Sequence, residues 1–403
     1  MSVTLWAVVG LAAVAGFFMA WTLGANSNSP PFAPAVGANA VPTMRAALLV
    51  GVFAALGALT QGGSISETVG AGLIQNVDIV PLAATAALMT AAGFMLVGVY
   101  SGYPIPAAFA TTGAVVGTGL ALGGDPAWDT YRRLGIFWLS VPFVSGGIAY
   151  TTAKLLRRDD VPDAVAVPLL AGVVGGVLVN IDFGFIPVPT PDGRGTVAGY
   201  VSRLLGSPTF AGVEAVAVVV TVLFAVLSFV YIRRKTLVSV DAGIKRFLLI
   251  LGSVVAFSSG GSQVGLATGP LEHLARTELG LPSLALLSFG AVGLLAGAWT
   301  GAPRLLQATS REYARLGVRR SIAALVPGFL VAQVAIAWGI PVSFNNIILS
   351  GVIGGGLAAG SAGVSREKIL RTVFFWLVTL VSSVGVAYAL YTGFSVVLGG
   401  TPT

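Results

Sequence analysis

Four short stretches of this chain set small hydroxyl and amide side chains beside Gly and Pro, inside or at the edge of apolar runs. They are Gly24-Ala25-Asn26-Ser27-Asn28-Ser29-Pro30-Pro31, Gly102-Tyr103-Pro104-Ile105-Pro106, Ser258-Ser259-Gly260-Gly261-Ser262-Gln263 and Pro341-Val342-Ser343-Phe344-Asn345-Asn346. None holds a charge. Their chemistry is therefore neutral hydrogen bonding, and Gly and Pro predict unwound backbone at each. A broken helix exposes an N-terminus with free N–H groups and the positive end of its dipole, which suits an anion. Unwound backbone at membrane depth is tolerated where it lines a cavity. The candidate binding residues are Asn26, Ser27, Asn28, Ser29, Ser259, Gly260, Gly261, Ser262, Gln263, Ser343, Asn345 and Asn346. A single such stretch reads as an ordinary interfacial loop. Four at matching places read as a site.

The elements that must position these residues are membrane helices. Of the 403 residues 56% are hydrophobic and only 9% charged, against roughly 25% charged in a soluble domain. Residues 79–124, 134–153, 164–181, 215–232, 247–271, 279–303, 321–365 and 372–403 hold no Asp, Glu, Lys, Arg or His. One span needs about 20 apolar residues, so the longest runs hold two. The spans expected are 3–23, 46–65, 81–101, 105–124, 134–153, 164–181, 212–232, 247–271, 280–303, 321–338, 345–365 and 372–393, some of them re-entrant. The first has no basic residue before it and reads as a true span. Porin-type strands would alternate apolar and polar residues, and these runs do not. With no cysteine and one histidine, thiolate metal sites and thiol nucleophiles are excluded, and no metal or cofactor is expected.

Landmarks repeat along the chain. Gly24-Ala25-Asn26-Ser27 resembles Gly260-Gly261-Ser262-Gln263, and Pro34 falls opposite Pro270, an offset of 236. Tyr103-Pro104-Ile105-Pro106 resembles Ile340-Pro341-Val342-Ser343, with Gly117 opposite Gly354 at 237, and Phe137-Trp138-Leu139 matches Phe375-Trp376-Leu377 at 238. Basic clusters at 154–158, 233–246, 304–320 and 366–371 hold 16 of the 22 Lys and Arg residues. Placing them in the cytoplasm puts both termini outside. The loop 304–320 is then cytoplasmic, while its counterpart near 62–80, with only Glu67 and Asp78, is external. That is the charge pattern of an inverted repeat, as secondary transporters have. The divisions expected are 1–160 for the first repeat, 161–237 for connecting spans and an external loop, and 238–403 for the second repeat.

The same residues resemble the inorganic phosphate transporter family, the Pit or PHO4-type permeases. Gly24 to Ala40 is similar to that family's GANDVANSFGTSVGSGAL signature, and Phe257 to Leu271 to its FxHGANDVANAIGPL variant. Pro104 to Gly117 is similar to PVSTTHAIVGAVVG, whose second copy begins Pro341-Val342-Ser343-Phe344-Asn345-Asn346. Thr111 and Thr112 of that element join the candidate substrate-binding residues. The resemblance implies an all-α polytopic membrane protein of about 12 transmembrane or re-entrant helices in two inverted repeats. It implies a secondary transporter of an inorganic oxyanion, phosphate first, working by alternating access.

Departures from the family pattern bear on coupling. The motif Asp, associated in the family with cation coupling, is replaced by Ser27 and Gln263, and a later Asn by Pro30 and Leu266. Two neutral replacements argue against sodium symport, and they keep sulfate or another oxyanion close behind phosphate. A coupling proton would want an intramembrane carboxylate, and Glu67 is the candidate. An anion channel is the alternative of a different class, with linear flux and no counterflow. A membrane enzyme has too few carboxylates, no Cys and one His to build from. The partners expected are the anion and the lipid bilayer of the cell membrane, not nucleic acid, with a homodimer left open. Arg304 to Arg320 reads as a basic amphipathic stretch meeting anionic lipid. His273 and Glu214 read as external-edge and headgroup-level residues, and Trp138 and Trp376 as packing.

Overall fold

The computed structural model describes residues 3–27, 30–101, 105–158, 160–187, 195–210, 213–358 and 366–397. Apolar runs without charge leave the backbone no partner but itself in lipid, so they fold as helices. In order these are α1 (Val3–Asn26), α2 (Ala33–Gly37), α3 (Thr43–Gln61), α4 (Gly63–Ala71), α5 (Pro81–Ser101), α6 (Ala107–Ala121), α7 (Trp128–Leu156) and α8 (Asp163–Leu178). Then come α9 (Val197–Leu204), α10 (Ala215–Val238), α11 (Val240–Thr268), α12 (Ser283–Thr300), α13 (Ala302–Leu316), α14 (Val318–Ala337), α15 (Phe344–Leu357) and α16 (Arg366–Val397). Three two-stranded ribbons tie loops together: β1 (Ile74–Gln75) with β2 (Asp125–Pro126), β3 (Asp182–Phe183) with β4 (Gly195–Thr196), and β5 (Thr209–Phe210) with β6 (Val213–Glu214).

Among the described residues eight helices are long and apolar enough to cross a membrane, and α6, α8 and α15 are shorter apolar helices. With the 29-residue α11, every span expected from the sequence has its helix. The two segments read as loops are helical as well. Residues 62–80 contain α4, and 304–320 contain most of α13, a helix of amphipathic sequence.

The elements recur. The series α1, α3, α4, α5, α6, α7 is matched in order by α11, α12, α13, α14, α15, α16. Their packing is exchanged: α3 lies on α11 while α12 lies on α1, and α6 lies on α16 while α15 lies on α7. Glycines mark the same crossings twice. A Cβ on Gly260 would overlap the Ala54 carbonyl oxygen, and one on Gly24 the Leu294 carbonyl oxygen. Likewise Gly117 meets the backbone of Val384 and Gly354 that of Gly146. Small residues let membrane helices approach closely, which is why so many glycines fall in the apolar runs.

One expectation is overturned. Ser258 to Gln263 does not interrupt a helix: α11 runs unbroken to Thr268, and the interruption is the 3-10 turn Gly269–Leu271 beyond it. Gly260 and Gly261 are there for the close approach of α3, so they pack without unwinding. Near the start of the chain the break does fall as expected, since α1 ends at Asn26 and a 3-10 turn starts at Pro30. Asn28, Ser29 and the stretch Gly102 to Pro104 lie outside the described residues.

Candidate functional site

Two short helices begin where the sequence predicted breaks. α6 starts after Pro106 and α15 after Ser343, and neither N-terminus is capped by a side chain. Proline explains the first boundary, because its ring disfavours the helical conformation in the residue before it. The first-turn amides and the positive dipole end are thus left facing outward from each helix.

Trp138 of α7 binds both starts together. Its Nε1–H donates to the Pro341 carbonyl oxygen at 2.8 Å, just ahead of α15. Its ring lies 4.2 Å from that of Phe109, in the first turn of α6. Trp376, set like Trp138 in a Phe-Trp-Leu stretch, meets Phe109 edge-on at 6.3 Å. Both tryptophans pack, as read from the sequence. Changing Trp138 to Phe keeps the packing but orphans the Pro341 carbonyl, so thermal stability should fall by about 1 kcal/mol. A thermal-melt comparison in detergent checks this, and no change would mean that the bond contributes nothing.

α11 closes the site. Gln263, fully buried, donates from Nε2 to the Val342 carbonyl oxygen at 3.2 Å, and the Ser262 hydroxyl points at the same oxygen at 3.5 Å. α11 also packs against α1 and α6. It therefore meets α1, α6 and the segment that leads into α15. Ser259 lies buried within α11, Ser27 and Ser343 are buried as well, and Asn345 is half-buried.

The hydrogen-bond inventory singles out this region. Nine buried side-chain polar atoms among the described residues have no partner. Five belong to candidate residues: Asn26 Nδ2, Thr111 Oγ1, Thr112 Oγ1, Gln263 Oε1 and Asn346 Oδ1. Buried polar atoms are nearly always satisfied, so these orphans call for partners such as water or an ion. Three of the five can donate, as an anion requires, and two accept. Gly260 and Gly261 do not contribute donors of this kind, since they face α3.

Sequence reading missed an amide ladder beside the site. Gln61 of α3 and Gln333 of α14 bond each other at 3.1 Å, and Gln333 Nε2 donates to the Ser258 hydroxyl at 2.8 Å. Gln61 also donates to the Asp182 carbonyl oxygen at 2.8 Å. The signal was present, since two glutamines sit alone in apolar runs. Glu67, the sequence candidate for coupling, is exposed on the wall of a cavity of about 230 Å3 where α3 gives way to α4. His273 pairs with Asp78 at 3.3 Å at the neighbouring surface. Among the described residues no group of His, Cys, Asp and Glu could hold a metal ion.

Comparison with known proteins agrees with this architecture. The chain is 24% identical over 388 residues to "Putative phosphate permease TK2061" of Thermococcus kodakarensis, covering 91% of this chain and 93% of that one. It is 25% identical over 409 residues to "Inorganic phosphate transporter 2-1, chloroplastic" of Arabidopsis thaliana, covering 91% of this chain and 68% of the other. In fold it resembles a solved structure titled "The sodium-dependent phosphate transporter", with a TM-score of 0.77 at 21% identity over 97% of this chain and 99% of that one. Residues 23–387 match the family described as PHO4, phosphate transporter family, and this multi-pass membrane protein belongs to it.

Proposed function

We propose that this chain is a secondary transporter that carries inorganic phosphate across the cell membrane by alternating access. The two helix series, 1–160 and 238–403, stand in opposite orientations with 161–237 joining them, and both termini face outside. The observation that supports the site most is the set of three orphaned donors, Asn26 Nδ2 and the Thr111 and Thr112 hydroxyls. Uncharged donors at two uncapped helix starts hold an anion without a fixed positive charge in the membrane. They also let it go, which a tight ion pair would not. Ser343 and Asn345, at the start of α15, belong to the same donor set.

Coupling to sodium has little support in the residues present. Ser27 and Gln263 carry no charge, so neither supplies the carboxylate oxygen that sodium prefers. Uptake into proteoliposomes tests this. Phosphate uptake should saturate and stay unchanged when choline replaces sodium, with sulfate a weaker competitor. Strong sodium dependence, preference for sulfate, or flux that stays linear without counterflow would each contradict the proposal. Ser343→Ala combined with Asn345→Ala should raise KM for phosphate; an unchanged KM would remove α15 from the site.

A further inference from the structure

The cavity between α3 and α4 has a floor that the transport site does not account for. Glu272 follows the 3-10 turn that ends α11, and its side chain is only 12% exposed. Its carboxylate accepts from the Ser66 hydroxyl at 2.8 Å and from the Ser283 hydroxyl at 3.5 Å, and it faces Arg276 at 3.6 Å. Ser66 accepts in turn from the Thr268 hydroxyl at 3.1 Å. Thr268 has a second acceptor, the Val264 carbonyl oxygen at 3.0 Å, next to Gln263.

This arrangement works in two orientations. With Glu272 ionised, Thr268 donates to Ser66 and Ser66 to the carboxylate. With Glu272 protonated, the acid donates to Ser66, Ser66 to Thr268, and Thr268 to the Val264 carbonyl. Every donor keeps an acceptor in both states, because Thr268 lies within reach of two. We propose that Glu272 binds a coupling proton and that Ser66 and Thr268 carry its protonation state to the α11 backbone beside Gln263. This rests on the transport reading above.

Charge around the cavity gives protonation a consequence. Glu67 of α4 and Asp182 line the same cavity as Glu272 and its partner Arg276. The nearest other titratable pair is His273 with Asp78, in the adjoining cavity. Ionised carboxylates oppose the approach of an anion, and a proton on Glu272 removes one of them and frees Arg276. Arg276 is 60% exposed in its side chain, so its pairing to Glu272 is weakened by solvent. Glu67 is exposed and outside the relay, which makes it the poorer carrier.

The test uses purified protein in liposomes, with labelled phosphate and an acid-outside pH gradient. The wild type should accumulate phosphate above equilibrium. Glu272→Gln should lose that accumulation while keeping phosphate counterflow, and Glu67→Gln should keep the accumulation driven by the gradient. Ser66→Ala leaves the carboxylate in place but cuts the relay, so it too should lose gradient-driven accumulation, and it serves if Glu272→Gln does not fold. Accumulation that survives in either relay variant overturns the proposal. So does a wild type that shows counterflow but no response to the gradient, an outcome that leaves transport itself standing. Absence of counterflow in the wild type would instead count against the transport reading.

Discussion

Replacing Thr111 and Thr112 together by Val is expected to weaken phosphate affinity sharply while leaving the stability of the empty protein unchanged or slightly higher. Both hydroxyls are buried and neither has a partner. Removing an unsatisfied buried hydroxyl relieves a desolvation cost, and Val preserves the shape. A hydrogen bond to a charged group contributes about 1.5–3 kcal/mol, so loss of even one should raise Kd about tenfold to a hundredfold. The two effects pull apart because the orphan atoms matter only when the anion is bound. A thermal melt without phosphate and an uptake KM separate them. An affinity loss together with a stability loss of similar size would mean that the hydroxyls hold the fold instead.

Gly260→Ala should have the largest effect on folding. The added Cβ would overlap the Ala54 carbonyl, which belongs to the α3 backbone and cannot rotate away as a side chain does. Small-to-large changes in packed interiors cost about 1–3 kcal/mol, more where backbone must move. Here α3 and α11 would have to separate along the crossing that also seats Gly57 against Phe257. The expected outcome is little monodisperse protein after detergent extraction. Gly135→Ala is the control, because a Cβ there meets nothing within 4 Å. Equal yields of the two variants would show that the crossing is slack.

The fold was legible where charge was absent. Each apolar run became a helix because lipid leaves the backbone no other solution, and boundaries followed Pro and the basic clusters. The opening break of α15 was legible for the same reason, since Pro341 and Ser343 stand in an otherwise continuous run. The reading failed at Ser258 to Gln263, where Gly and Ser have two uses that look alike in sequence. They unwind a helix in one context and admit a neighbouring helix in another, and only the position of α3 decides between them. Glu67 is the carboxylate the sequence offers for coupling, and the structure leaves it exposed while the Glu272 side chain is only 12% exposed. Burial depends on how α4 packs under the turn after α11, a long-range contact that local sequence does not record.

Most directly at stake is whether the uncharged donors near the starts of α6 and α15 bind phosphate without a cation. Phosphate titration of the purified protein in sodium-free choline buffer tests it. Saturable binding in the wild type, abolished or sharply weakened in the Thr111→Val and Thr112→Val double variant, is the predicted result. Binding that appears only when sodium is added, or that the double variant retains in full, would contradict it.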